Sequence, residues 1–168
     1  MRDLFHNAPL YLLYARLAVY YDVIEVVGEH TDDFLQEVYK RQGLCICFDM
    51  RFPELARIMS IDGAWAVFCP ASFNMTTGPA HWEIMFRSRA VESQVYALGC
   101  APARDEHGSY VSYSNSIIVH PWGNVLARAG AEECILRAEI SREEVESVRS
   151  QLPLMSARRT DMYTLARN

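Results

Sequence analysis

One stretch constrains this chain more than any other: Gly43-Leu44-Cys45-Ile46-Cys47-Phe48-Asp49-Met50-Arg51-Phe52-Pro53-Glu54. The apolar run 44–47 reads as a buried strand, and a tight polar turn follows it. Pro53 suits the first position of a helix and Gly63 suits the exit, so a helix is expected over 53–62. Leu55, Ile58 and Met59 fall on one face of it. Strand, turn and helix in succession point to an α/β fold. The same geometry lifts the Cys47 thiol off the end of the strand and aims it into a cleft.

The alternation continues downstream. A strand is expected over 64–69, closed by Pro70, and a loop over 73–79. The longest helix candidate covers about 80–96. Its rows Trp82, Phe86, Ala90 and Ile84, Val91, Val95 sweep a wide arc, which predicts burial over more than one stripe. Glu83 and Arg87 are four apart and can pair on its surface. Strands are expected over 97–101, 116–120, 125–129 and 134–140, with Pro121-Trp122-Gly123-Asn124 as a turn. Ser141-Arg142-Glu143-Glu144 is a capping box, with Ile140 and Val145 placed as a hydrophobic staple, so a helix should run to Leu152 and stop before Pro153. Residues 1–42 read differently. Apolar and aromatic residues crowd Leu10 to Tyr21 without clear period, Val23–Val27 suits a strand, 33–39 suits a helical turn, and no functional motif is evident.

The chemistry open to Cys47 follows from its place. The thiolate is the reactive form, and partial positive charge at the amino end of a helix favours it. The Phe48 amide would point into the same space, where it could hold the oxyanion formed when sulfur attacks a carbonyl. Arg51 could clamp a carboxylate with two parallel bonds. A complete mechanism also needs a general base and a cation beside the oxyanion. Other readings stay open at this point. Cys47 could be a small core residue, Arg51 and Glu54 a surface ion pair, His81 and His120 structural histidines, and Asp49 a cap on the turn. Cys45-x-Cys47 has neither the spacing nor the second pair that a zinc site requires, so no metal and no other cofactor is expected.

Bulk properties narrow the class. A chain of 168 residues can build one domain with a real core. A net charge of −5 argues against a nucleic-acid partner. Five cysteines without framework spacing suit reduced thiols in the cytoplasm. The most apolar run, Leu10 to Tyr21, is interrupted by Arg16 and falls short of the roughly 18–20 residues a membrane span needs. Asp3 and the lack of a small-residue cleavage site weigh against a signal peptide.

The motif from Gly43 to Leu55 resembles the nucleophile motif of the nitrilase, or carbon–nitrogen hydrolase, superfamily. Phe73-Asn74-Met75-Thr76-Thr77-Gly78-Pro79-Ala80-His81-Trp82-Glu83 resembles its omega-amidase branch more narrowly. The likeness continues through Arg87-Ser88-Arg89-Ala90-Val91-Glu92-Ser93-Gln94-Val95-Tyr96, Ala101-Pro102-Ala103-Arg104-Asp105, His120-Pro121-Trp122-Gly123 and Arg158-Arg159-Thr160-Asp161-Met162-Tyr163. The resemblance implies part of a four-layer α-β-β-α sandwich, a homodimer in full-length form, and amide hydrolysis through a thioester on Cys47. For omega-amidases the substrates are 2-oxoglutaramate and 2-oxosuccinamate, small amides that carry a carboxylate. By motif position Cys47 is the nucleophile, the Phe48 amide an oxyanion donor, Arg51 a residue beside the pocket, and Phe73, Asn74, Met75 and Thr76 line the substrate end. Phe48 stands where tyrosine is common in the family.

The family's triad is Glu-Lys-Cys, with glutamate and lysine on strands upstream of the cysteine. The only lysine here is Lys40, seven residues before Cys47, which does not fit that spacing. Val38-Tyr39-Lys40-Arg41-Gln42 is the peptide that a common sequencing-library transposon end encodes, and the family-like motif starts at the next residue. Residues 1–42 are therefore expected to be a segment foreign to a partial hydrolase over 43–168, and the chain as it stands to have little amidase activity. The alternatives are another amidase, carbamoyl hydrolase or nitrile hydrolase of the same fold, or a non-catalytic half-domain that dimerises or misfolds.

Overall fold

The computed structural model describes residues 42–165 in full and the backbone of 23–27. Segments 1–22 and 28–41, which include Leu10 to Tyr21, the expected turn at 33–39 and Lys40, lie outside the described residues.

Its centre is a five-stranded sheet in sequence order. Strands β2 (Gln42–Leu44), β3 (Ala66–Pro70) and β4 (Tyr96–Cys100) run parallel, and β5 (Ile117–Val119) and β6 (Val125–Arg128) add antiparallel. Parallel neighbours need a crossover. Helix α1 (Pro53–Ile61) supplies the one between β2 and β3, and α2 (Thr77–Ser93) the one between β3 and β4. The expected start and stop of α1 hold: Pro53 opens it, and Gly63 follows its end with a φ of 99°.

Side chains alternate across the sheet with the period of two that strands impose. Val67, Cys69 and Ala97 face α1 and α2, where they meet Trp82, Phe86 and Ala90. Ala66, Leu98 and Ile118 face the other way. Gly99 is required on the helix side, because a Cβ there would stand 2.5 Å from the Phe86 ring.

Helix α2 departs from expectation in two ways. It begins at Thr77 and ends at Ser93, with Gln94 in the left-handed region and Tyr96 already in β4. It also buries one stripe, not two. Gly78, Trp82, Phe86, Arg89, Ala90 and Ser93 are covered, while Ile84 and Val91 face out. Val95, assigned to the second row, lies beyond the helix, where it is fully buried.

A second layer closes the opposite face. Strand β1 (Val23–Val27) pairs in parallel with β7 (Ile135–Glu139), in register from Val23 opposite Ile135 to Val27 opposite Glu139. Leu136 and Ile140 pack with Trp65, Tyr96, Leu98 and Val145. Helix α3 (Arg142–Gln151) buries Val145 and Val148 there. Half of its capping box forms: the Glu144 amide donates to Ser141 Oγ at 3.1 Å. The reciprocal carboxylate turns instead to His120, 3.5 Å away, and the Ser141 amide reaches the Tyr96 hydroxyl. Arg149 ties α3 to the α1 end of the sheet through Ser60 Oγ, Ala64 O and Gln94 O, and burial lowers the basicity of its guanidinium.

Three layers of the four-layer α-β-β-α sandwich are thus present among the described residues: a helix pair, a five-stranded sheet, and a two-stranded ladder with α3. Leu44 and Ile46 at the β2 edge remain exposed. No helix among the described residues is long and apolar enough to cross a membrane.

Candidate active site

The site lies where β2 and β3 end, the side of an α/β sheet on which ligands usually bind. The expected strand over 44–47 is shorter than its apolar run. β2 stops at Leu44, and Cys47 opens a 3-10 turn, Cys47–Arg51. The Asp49 carboxylate accepts from the Ile46 amide at 2.9 Å, so Asp49 does cap the turn. The Asp49 amide in turn donates to Ile46 O at 3.0 Å.

Cys47 takes a φ of 47°, a conformation that non-glycine residues seldom hold. That backbone rotates the side chain away from the strand direction. The thiol is half-buried and donates to the carbonyl of Ser72, 3.8 Å away, just past the end of β3. Phe48 is the second residue of the turn, where a helical amide has no partner inside its own helix. Its ring is exposed.

Arg51 ends the turn and reaches the residues after β3. Its guanidinium lies 4.7 Å from the Phe73 ring centre and 5.4 Å from that of Phe48. One of its nitrogens is 3.2 Å from His81 Nδ1. His81, on α2, thus faces a cation of the site. Arg51 forms no ion pair with Glu54 within the salt-bridge distance among the described contacts.

Phe73 is buried, its ring edge-on to Trp82 at 5.1 Å, so it forms the floor under Arg51. Asn74, Met75 and Thr76 are exposed and lead into α2. Asn74 Oδ1 accepts from the Thr76 and Thr77 amides at 3.0 and 2.8 Å, and from the Thr77 hydroxyl. This cap explains why α2 starts at Thr77, and it leaves the Asn74 oxygen engaged with the backbone.

Three further residues matter that the sequence reading passed over. Arg89 is buried on α2 and donates to Met50 O and Arg51 O, each at 3.0 Å, while its third arm pairs with Glu92 at 2.7 Å. It therefore holds the carboxyl end of the turn that carries Cys47. The signal was visible: Arg89 falls on the same stripe as Trp82, Phe86 and Ala90, a charge among core positions. The Ser72 carbonyl takes the Tyr110 hydroxyl at 3.0 Å as well as the Cys47 thiol, which puts Tyr110 at the mouth of the site. No local pattern marks Tyr110, because the loop that brings it there has no periodicity. Among the described residues no group of His, Cys, Asp and Glu is arranged to hold a metal ion. Cys47 has no carboxylate or imidazole among its described hydrogen-bond partners.

The arrangement sets a half-buried thiol and a guanidinium within one turn. Comparison with known proteins gives the family. The family model described as "Carbon-nitrogen hydrolase" matches residues 18–150. The chain is 50% identical to omega-amidase NIT2 of Bos taurus over 125 residues, 74% of this chain and 45% of that protein. It is 48% identical to the Homo sapiens protein of the same name over 127 residues, 76% of this chain and 46% of that one. Among solved structures, Nit3 of Saccharomyces cerevisiae, a member of branch 10 of the nitrilase superfamily, superposes with a TM-score of 0.68 at 48% identity, over 70% of this chain and 44% of that one. The C. elegans NitFhit protein gives 0.70 at 38% identity, over 76% and 31%. The chain spans about half the length of the curated relatives it matches.

Proposed function

This chain belongs to the carbon–nitrogen hydrolase family, and from that premise we propose that it carries the nucleophile half of an omega-amidase-like enzyme. Cys47 attacks the amide carbon of a small 2-oxo acid amide such as 2-oxoglutaramate or 2-oxosuccinamate. The carbonyl oxygen becomes an oxyanion facing the Phe48 amide. Ammonia leaves as a carbon–sulfur bond replaces the carbon–nitrogen bond. Water then hydrolyses the thioester, releasing the 2-oxo acid and restoring the thiol. Arg51, over Phe73, attracts the substrate carboxylate, and Asn74, Met75 and Thr76 border the far end of the pocket. No cofactor takes part.

The observation that carries this reading is the left-handed backbone at Cys47. Strain of this kind clusters at working sites, and here it aims a half-buried thiol at the carboxyl end of β3. Similarity to omega-amidases at 46–50% identity supports the substrate class. The proton-transfer groups come from residues other than those described. General-base and oxyanion-side charge are each worth roughly 10²–10³-fold or more in rate, so the chain by itself turns over slowly. Residues 1–42 are proposed to be foreign. The curated relatives match over 125 to 129 residues, close to the length of 43–168, while the family model's match starts at residue 18. Amplification across the codons for Tyr39 to Leu44 decides the origin of that segment.

The activity test uses the 168-residue chain beside a version extended with its genomic upstream sequence. Ammonia release from 2-oxoglutaramate is expected from the extended version alone and is lost in Cys47→Ala. Release from carbamoyl amino acids in its place would move the enzyme to another branch. Activity that survives Cys47→Ala would refute the nucleophile.

A further inference from the structure

The active-site turn stands on two more thiols that the hydrolysis does not use. The β2–β3 ladder pairs Leu44 with Phe68. The Cys45 amide donates to Phe68 O at 3.0 Å, which carries the ladder one residue further and sets Cys45 beside Cys69. Both point to the helix side of the sheet, into one core cluster, with 5% and 1% of their surface exposed. Neighbouring strands lie about 4.8 Å apart, within the Cα separation of roughly 4.4–6.8 Å that a disulfide spans. Interaction with the neighbouring Cys45 side chain first, and burial second, push Cys69 far above the ordinary thiol range. Cys47 packs against the same cluster, and its backbone amide is directed at the Cys69 sulfur. Cys69 is therefore held in its protonated, thiol form.

We propose that Cys45 and Cys69 are an oxidisable dithiol beneath the Cys47 turn, closed to a disulfide by hydrogen peroxide. Two S–H bonds break and one S–S bond forms. The peroxide O–O bond takes up the two electrons and two protons and leaves as two waters. A dithiol reductant reverses the change. The disulfide draws its two Cβ atoms to about 3.8 Å, which pulls the end of β2 toward β3. Cys45 lies two residues before Cys47, so the turn moves with it, and the bond couples oxidation to the position of the nucleophile. This proposal concerns the sulfur pair alone and stands whether or not Cys47 performs hydrolysis.

The test treats the full chain with hydrogen peroxide, alkylates free thiols, digests with trypsin without reduction and weighs the peptides. Cleavage after Arg41, Arg51, Arg57 and Arg87 puts Cys45 and Cys47 on peptide 42–51 and Cys69 on peptide 58–87. The expected product is these two peptides linked, lighter by two hydrogens than their sum and separated by dithiothreitol. The link persists in Cys47→Ser and is absent from Cys45→Ser. If a variant fails to fold, fragmentation of the wild-type linked peptide between residues 45 and 47 assigns the sulfur directly. No linked peptide in the oxidised wild-type chain, or a link borne by Cys47, would overturn the proposal.

Discussion

Replacing Arg89 with methionine removes the support of the Cys47 turn while keeping the length and most of the volume of the side chain. The arginine side chain is 8% exposed and makes three charge-assisted bonds, to Met50 O, Arg51 O and Glu92. Bonds of this type contribute about 1.5–3 kcal/mol each, yet their sum overstates the loss, because the guanidinium is itself desolvated. Removing one member of a buried pair costs about 3–5 kcal/mol in measured cases. Glu92 is one-third exposed and regains water, so the lower end applies, about 3 kcal/mol. Two turn carbonyls are left without their donor, which is the larger part. With a urea slope of about 1–3 kcal/mol/M, the unfolding midpoint of Arg89→Met falls by about 1–3 M. Arg89→Lys keeps the charge but not the fork, and recovers part of the loss. Alkylation of Cys47 by iodoacetamide reads the turn itself, and it should quicken in Arg89→Met in native buffer. A midpoint within 0.3 M of the parent would refute the energetic argument. A lowered midpoint with unchanged Cys47 alkylation would refute the positioning role.

Two further outcomes follow from the second layer. Ser141→Ala should cost about 1 kcal/mol through the lost N-cap bond to the Glu144 amide, read by urea unfolding; Glu144→Gln, whose carboxylate faces His120 rather than Ser141, should cost less than half of that. Burial holds the Tyr96 phenol above its ordinary value of 10.0, so its contribution to stability is complete below pH 10 and declines as pH rises toward the folded value, where the unfolded chain binds fewer protons than the native one. Tyr96→Phe should flatten the fall in melting temperature between about pH 9 and pH 11, and identical slopes in the two proteins would sink that assignment.

What could be read in the sequence was whatever local chemistry decides. Pro53 and Gly63 bracket α1 because proline and glycine restrict or free the backbone on their own, whatever packs around them. Ser141 marks the start of α3 for the same reason. The Cys47 elbow was legible because an apolar run meeting a polar turn leaves few conformations open. What failed depended on neighbours. Ile84 and Val91 have the spacing of a buried row, but the sheet is on one side of α2 only, and on the other Ile84 stays exposed while Val91 meets only the turn at Gly123. The Asn74 cap moved the start of α2 because its oxygen reaches two amides that propensity alone would leave in a loop. The second half of the box at Ser141 gave way to a histidine from another loop. Within the candidate site, Cys47, Phe48 and Arg51 lie on one short turn and could be read together; Tyr110 arrives from a distant loop and could not be. Arg89 was in plain sight as a charge on an apolar stripe.

The backbone at residue 47 also says something about how such a chain changes over generations. A left-handed conformation costs an L-residue about 1–2 kcal/mol, which glycine avoids. A library of variants screened for folding alone would drift toward glycine or asparagine there, and one screened for turnover would return to cysteine. Opposite answers from the two screens would mark this single position as one where durability and chemistry select against each other.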